Sequence, residues 1–429
     1  MKRIYAMLLA LALLFSLAAC GNSASPAAAP AGDAAAPESQ ETEPVGTVRL
    51  FNDQPQIETA LKDLASRYTA QSGVEVVIES AAGADYEDAL AAALAGENAP
   101  TLFILGGEKA LDRFGASCLD LGDSEAAAEL ISDHYALHRN GAVVGLPCTL
   151  ETYGLATNQT LLAQAGYTID NINCLEDLQK VAQVITARGH SLGFAAFTSA
   201  GLDTTSEPRF NTVLASLPIA AQLQDGASGA PFTDAYLDNL HALWDLYLDN
   251  ATCKREEIAG KTAEDSRFEF CEGKAVFYQT SAADYDNLKN SFDEDELTMI
   301  PLYFGVGDEA YQGLITGAQH YWCVNGGAAA KDLSATLDFL AWLLGDASAL
   351  SVLTNQLGWR APYRAAAEPD NRFERAERDL TLSGRVPVAL HFDAIPSENW
   401  KYNLSASLAA YADGTGDWEG VVAAFTAAN

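Results

Sequence analysis

The chain has 429 residues, 58 Asp and Glu against 25 Lys and Arg, a net charge of -33, 49% hydrophobic residues and seven cysteines. So negative a field opposes nucleic acid and anionic lipid surfaces and leaves neutral or cationic small ligands open. The length exceeds what one ordinary hydrophobic core organises and asks for two lobes or domains.

The first twenty residues read as a secretory leader. Met1-Lys2-Arg3 is basic, Ile4 to Ala19 is an almost unbroken apolar run, and small residues precede Cys20. The run is short for a transmembrane span, which needs about 20 residues. Leu17-Ala18-Ala19-Cys20 resembles a bacterial lipobox. That implies cleavage before Cys20, lipid on its thiol, and a chain held outside the cytoplasmic membrane by acyl chains. Positions 1–19 are thus expected to be signal peptide. Positions 20–45 are expected to be the lipidated Cys and a flexible linker, because Ser23 to Val45 is rich in Ala, Pro, Ser and Glu and has no apolar period.

The folded body opens with a strand at Val48–Phe51 and a polar turn at Asn52-Asp53-Gln54-Pro55. Ile57, Leu61, Leu64, Ala65 and Tyr68 then recur at helical spacing, with Gly73 as the stop. A second strand follows at Val74–Ile78, an Ala-rich helix at Asp85–Leu94, and a third strand at Thr101–Leu105 halted by Gly106-Gly107. Strands alternating with helices indicate a parallel α/β sheet, whose ligands gather beyond the carboxyl ends of strands. Further on, helices are expected at Leu175–Arg188, Ala235–Leu248, Leu333–Leu344 and Val421–Ala428. Strands are expected at Gly193–Phe197, Ala275–Tyr278 and Tyr321–Val324. The aromatic stripe of Trp244 and Tyr247 reads as core packing.

Motifs for catalysis are missing from the sequence: no GxSxG, HExxH, SxxK, Walker loop or GxGxxG after a strand. The chain is therefore read as a non-enzyme with no catalytic residue, no metal and no cofactor. His134 and His138 are four apart and could share a helix face, which is a weak metal signal. Asp293 to Glu296 lacks the spacing and Gly of a calcium loop. Six cysteines remain besides Cys20, at wide, irregular spacings. Buried free thiols are expected, with Cys253–Cys271 the best single disulfide candidate.

An ordered set of motifs resembles the extracellular solute-binding proteins of ABC importers, most closely the sugar-binding group that includes maltose-binding protein. The set runs from Leu50–Tyr68 through Ala99-Pro100-Thr101-Leu102-Phe103 and Gly145-Leu146-Pro147. Glu151 to Asn158, Phe270 to Val276, Leu337 to Leu340, Leu357 to Pro362 and Gly414 to Trp418 follow. The resemblance implies an α/β, two-lobed periplasmic-binding-protein type 2 fold with a hinge and an interlobe ligand cleft. Lobe 1 would hold 46–152 and 313–355, and lobe 2 would hold 153–312 and 356–429. It further implies a carbohydrate ligand, ABC importer membrane subunits as partners, a monomer, no nucleic acid, and hinge closure over the ligand.

Sugar hydroxyls need donors and acceptors such as Asp, Glu, Asn and Arg, and sugar C–H faces need flat aromatics. Asp53, Gln54 and Glu108 follow strands of the first lobe, and Glu151 lies at the crossover. Thr280 and Ser281 end the strand begun at Ala275. Gln319, His320 and Tyr321 sit in the return crossing, and Trp359 and Arg360 stand where family members commonly have small residues. Trp400 and Tyr402 are further aromatic candidates. A polyamine or other cationic ligand, a surface glycosidase using two carboxylates, and a signalling receptor remain open alternatives.

Overall fold

The computed structural model describes residues 45–427 except 82, 200–206, 227–230 and 294. Cys20, the leader and nearly all of the linker lie outside the described residues. Twelve strands are seen among the described residues: β1 (Thr47–Asn52), β2 (Glu75–Ser80), β3 (Leu102–Leu105), β4 (Leu137–Arg139), β5 (Ala142–Pro147), β6 (Glu151–Asn158), β7 (Ala195–Phe197), β8 (Ala275–Ser281), β9 (Leu297–Ile300), β10 (Gln312–Gly317), β11 (Tyr321–Val324) and β12 (Val386–Ala389). They form two sheets. One has the order β2-β1-β3-β11-β5-β4, and the other β12-β10-β6-β8-β7 with β9 also on β6. Each sheet with its helices is one lobe.

In the first lobe β1 pairs in parallel with β2 and β3, while β11 runs antiparallel between β3 and β5. Strand alternation sorts its side chains to two cores. Val48, Leu50, Leu102, Ile104 and Trp322 pack with Phe339, Leu340 and Leu343 of the helix Ala330–Gly345. Phe51, Phe103, Leu105 and Cys323 face Tyr86 and Leu90 of the helix Tyr86–Leu94. All four residues of β3 are buried, which explains its unbroken Leu-Phe-Ile-Leu run. Gly73 ends the helix Glu58–Ser72 at φ 76°, a left-handed cap natural to Gly, and its N–H bonds Thr69 O at 2.9 Å.

The second sheet is likewise covered on both faces, by a core around Leu155, Phe277 and Ile315 and another around Ala156, Tyr278 and Leu314. Leu237, Leu240, Leu243, Trp244 and Tyr247 are buried on one helix, Leu237–Asp249, so the aromatic stripe is core. Position 313, where the sequence reading starts the return to lobe 1, falls inside β10. That strand pairs with β6 and β12, and the crossing follows Gly317. His134 and His138 share no helix: His134 is in a 3-10 turn, and His138 is in β4 with its Nε2 3.2 Å from Asp133 Oδ2. Cys253 and Cys271 are free thiols. They pack against the cores on opposite faces of the second sheet, which keeps them apart.

The helix Ala347–Asn355 aims the chain at its last crossing. Asp346 caps it by accepting from Ser348 N at 2.9 Å and Ala349 N at 3.0 Å, and the Ser348 hydroxyl, then these backbone bonds, hold its carboxyl below the usual range. Asp346→Ala is expected to cost about 1 kcal/mol of stability, checked by urea unfolding. An unchanged midpoint would show that the cap is dispensable.

Candidate functional site

Three crossing segments lie side by side between the lobes. Cys148 N donates to His320 O at 2.8 Å and Leu150 N to Arg360 O at 3.0 Å, so 148–150 runs between 318–320 and 359–361. Strand alternation in β6 then separates two sides. Thr152 faces a cavity next to 359–361, and Glu151 and Tyr153 point the other way.

The Glu151 side gathers the carboxyl-end loops of the first lobe. Buried Asn52 shapes the turn after β1: its amide donates to Gln54 O at 2.7 Å and Ser80 Oγ at 3.1 Å, and its Oδ1 accepts from Gln54 N at 3.2 Å. This presents Asp53, whose Oδ2 is 2.7 Å from His320 Nδ1. Asp53 Oδ1 and Gln54 Nε2 are buried without a protein hydrogen-bond partner. Beside His320, Gln319 Nε2 donates to Glu151 Oε1 at 2.6 Å, and Tyr153 OH donates to Glu151 Oε2 at 3.1 Å.

The loop after β3 crosses to the second lobe. Lys109 N donates to Asp393 Oδ2 at 3.0 Å, and Glu108 Oε1 lies 3.8 Å from His391 Nδ1. Burial pulls the His391 imidazole below its usual pKa, against the pull of Glu108 and Asp393. Burial first, then the same two carboxylates, push the Tyr321 phenol up. Asp53, Glu108, Glu151 and Asp393 thus gather on this side of the crossings, held by His, Gln, Tyr and backbone groups.

Of the residues singled out from sequence, Asp53, Gln54, Glu108, Glu151, Gln319 and Tyr321 come together here. Ser281 is the register partner of Tyr153 and shares its face of the sheet. Thr280 is fully buried and donates to Asp284 Oδ2 at 3.0 Å. Trp359 and Arg360 lie on the opposite side of the crossings. They line a cavity of about 630 Å³ with Asp286, Lys289, Asn371 and Glu374. Trp359 packs 6.0 Å from Trp322. Arg360 Nε donates to Glu374 Oε1 at 2.6 Å, and its Nη1 to Leu150 O at 3.2 Å. Trp400 is core, with its Nε1 donating to Phe425 O, and Tyr402 is exposed.

His391 and Asp393 were missed. The apolar-polar run Val386–Ala389, ending in His391-Phe392-Asp393, was the available signal of another strand-end loop. No group of three or more His, Cys, Asp or Glu able to hold a metal occurs among the described residues.

The fold has counterparts. A protein from Alicyclobacillus acidocaldarius, an extracellular solute-binding protein of family 1, has 16% identity and a TM-score of 0.66 over 90% of this chain and 98% of that one. A family 1 protein from Bifidobacterium longum subsp. infantis has 16% identity and a TM-score of 0.63 over 90% and 98%. Apo RafE from Streptococcus pneumoniae has 12% identity and a TM-score of 0.63 over 89% and 97%. No curated protein matches the chain. The profile of bacterial extracellular solute-binding proteins matches residues 63–378, most of the chain. These are two-lobed α/β binding proteins that work outside the cytoplasm, and this chain belongs to that family.

Proposed function

We propose that the chain is a carbohydrate receptor, anchored by lipid on Cys20, that captures an oligosaccharide in the Glu151 cleft and delivers it to an ABC importer. The observation that carries this reading is the pair of buried, unpartnered atoms in one turn, Asp53 Oδ1 and Gln54 Nε2, an acceptor and a donor. Buried polar groups seek partners, and a sugar hydroxyl both donates and accepts. Glu151, Gln319 and Tyr153 supply a second bidentate set a short step along the same crossing. Among proteins of the same fold, RafE has been solved with raffinose and another is a chitin oligosaccharide binding protein. Four carboxylates in the cleft favour one second reading, a cationic solute such as a polyamine.

A melting-temperature panel on the chain from Gly46 separates the two, because a ligand that binds only the folded state raises the midpoint. Neutral oligosaccharides are expected to raise it without being consumed. A rise with polyamines alone would overturn the sugar assignment, and turnover of a sugar would overturn the binding role. For the sugar that responds, Glu151→Gln is expected to weaken binding about tenfold, or about 1.4 kcal/mol, by exchanging a charged acceptor for a neutral one. Calorimetry that finds equal affinity removes Glu151 from the site.

A further inference from the structure

Cys118 and Cys323 lie in the first lobe, outside the cleft's hydrogen-bonded groups. Cys323, in β11, is buried on the sheet face of Phe103 and Leu105. The segment after the short helix Leu111–Phe114 runs antiparallel beside it. Leu119 N donates to Val324 O at 2.8 Å, Gly326 N to Ser117 O at 2.9 Å, and Cys118 is the bridge partner of Asn325. Cys118 and Cys323 are therefore diagonal neighbours on one face of this short ladder, where side chains meet. Cys118 Sγ donates to Phe114 O at 3.5 Å and Cys323 Sγ to Tyr321 O at 3.6 Å.

We propose that Cys118 and Cys323 form a reactive dithiol that closes to a disulfide outside the cytoplasm, where disulfides persist. The two thiols have divided roles. Cys118 is partly exposed, and the neighbouring Cys323 side chain, helped by the Arg139 guanidinium, holds its thiol below the usual range. Burial pushes the Cys323 thiol up. Cys118 is accordingly the attacking thiolate and Cys323 the resolving thiol. With a small-molecule disulfide as oxidant, the Cys118 thiolate bonds to one oxidant sulfur and expels the other as a thiolate. Cys323 then gives up its proton, attacks Cys118 Sγ and expels the second thiolate. The two cysteines lose two electrons and two protons in all, and the oxidant becomes two thiols. The new bond ties β11, which begins directly after His320 of the cleft, to the loop beyond Phe114.

The test is oxidation of the folded full-length chain with oxidised glutathione. It is followed by acid quenching, alkylation in denaturant, digestion and mass spectrometry. The expected result is a linked peptide pair containing Cys118 and Cys323, two hydrogens lighter than the reduced peptides, with Cys148, Cys174, Cys253 and Cys271 all alkylated. In Cys118→Ser the linked pair is absent and Cys323 is alkylated. Full alkylation of Cys118 and Cys323 after oxidation would overturn the proposal. So would glutathione retained on Cys118 without the link, or a link formed by another pair such as Cys253–Cys271.

Discussion

Gly107→Ala is expected to weaken ligand binding by about ten- to a hundredfold while leaving the protein folded. Gly107 has φ 146°, a region that L side chains rarely adopt, and a Cβ built on it would lie 2.4 Å from Asp393 Oδ2. The two residues belong to different lobes, so the chain has two ways to relieve the clash. The lobes can back apart, or Asp393 can swing away and abandon Lys109 N. Either way the closed arrangement loses about 1–3 kcal/mol relative to an open one, the usual size of a local backbone and steric conflict. Only binding that needs the closed arrangement feels that loss, and each 1.4 kcal/mol is a factor of ten in affinity. Calorimetry with the responding oligosaccharide measures the effect, and small-angle scattering of the free protein reports whether the lobes open. Adding Asp393→Ala should recover the steric part and leave the backbone part, giving a coupling between neighbours that the double-mutant cycle reads directly. Affinity within twofold of the parent would show that the contact of the 106–109 loop with 391–393 is absent from the bound form.

The first lobe was legible because its signals are local. Leu102–Leu105 is an uninterrupted apolar run, Gly73 is a left-handed cap, and the helix Glu58–Ser72 carries its buried residues at helical spacing. The polar turns after β1 and β3 pointed to Asp53, Gln54 and Glu108 for the same reason. What stayed hidden depends on distant pairing. β10 is short and stays in the second sheet because β6 and β12 flank it, and nothing within Gln312–Gly317 announces those neighbours. Asp393 reaches Lys109 across 284 positions of chain. Trp359 and Arg360 have the right chemistry for a sugar. The crossing that carries them lies on the far side of 148–150, and only the hydrogen bonds between crossings reveal that order.

That far side holds the second large effect. Glu377→Gln is expected to stabilise the protein by about 3 to 4 kcal/mol at pH 8 and by only about 1 kcal/mol at pH 5. Glu377 is on the helix Arg372–Leu382 of the second lobe. Its Oε1 accepts from the hydroxyl of Tyr135, a first-lobe residue, and from Thr381 Oγ1 at 3.0 Å. Burial raises this carboxyl to about 7, against the Thr381 hydrogen bond and the nearby Arg378 charge. An exposed carboxyl of the unfolded chain titrates near 4.3. Below that pH both states hold the proton and no penalty exists. Between about 4.3 and 7 the folded chain keeps a proton that the unfolded chain has released, so this group's contribution to stability falls as pH rises. Above 7 the full difference has been lost, about 3.7 kcal/mol for a shift of this size. Gln carries no proton to lose, and its amide oxygen can still accept from Tyr135 and Thr381. Other carboxylates and histidines also titrate over this range, so the quantity to measure is the difference between parent and variant in urea-unfolding free energy at pH 5, 6, 7 and 8. A difference that grows with pH supports a carboxyl held neutral between the lobes. A constant difference would mean that Glu377 ionises in the folded protein as it does in the unfolded chain, with water or a cation reaching it through the 630 Å³ cavity it lines.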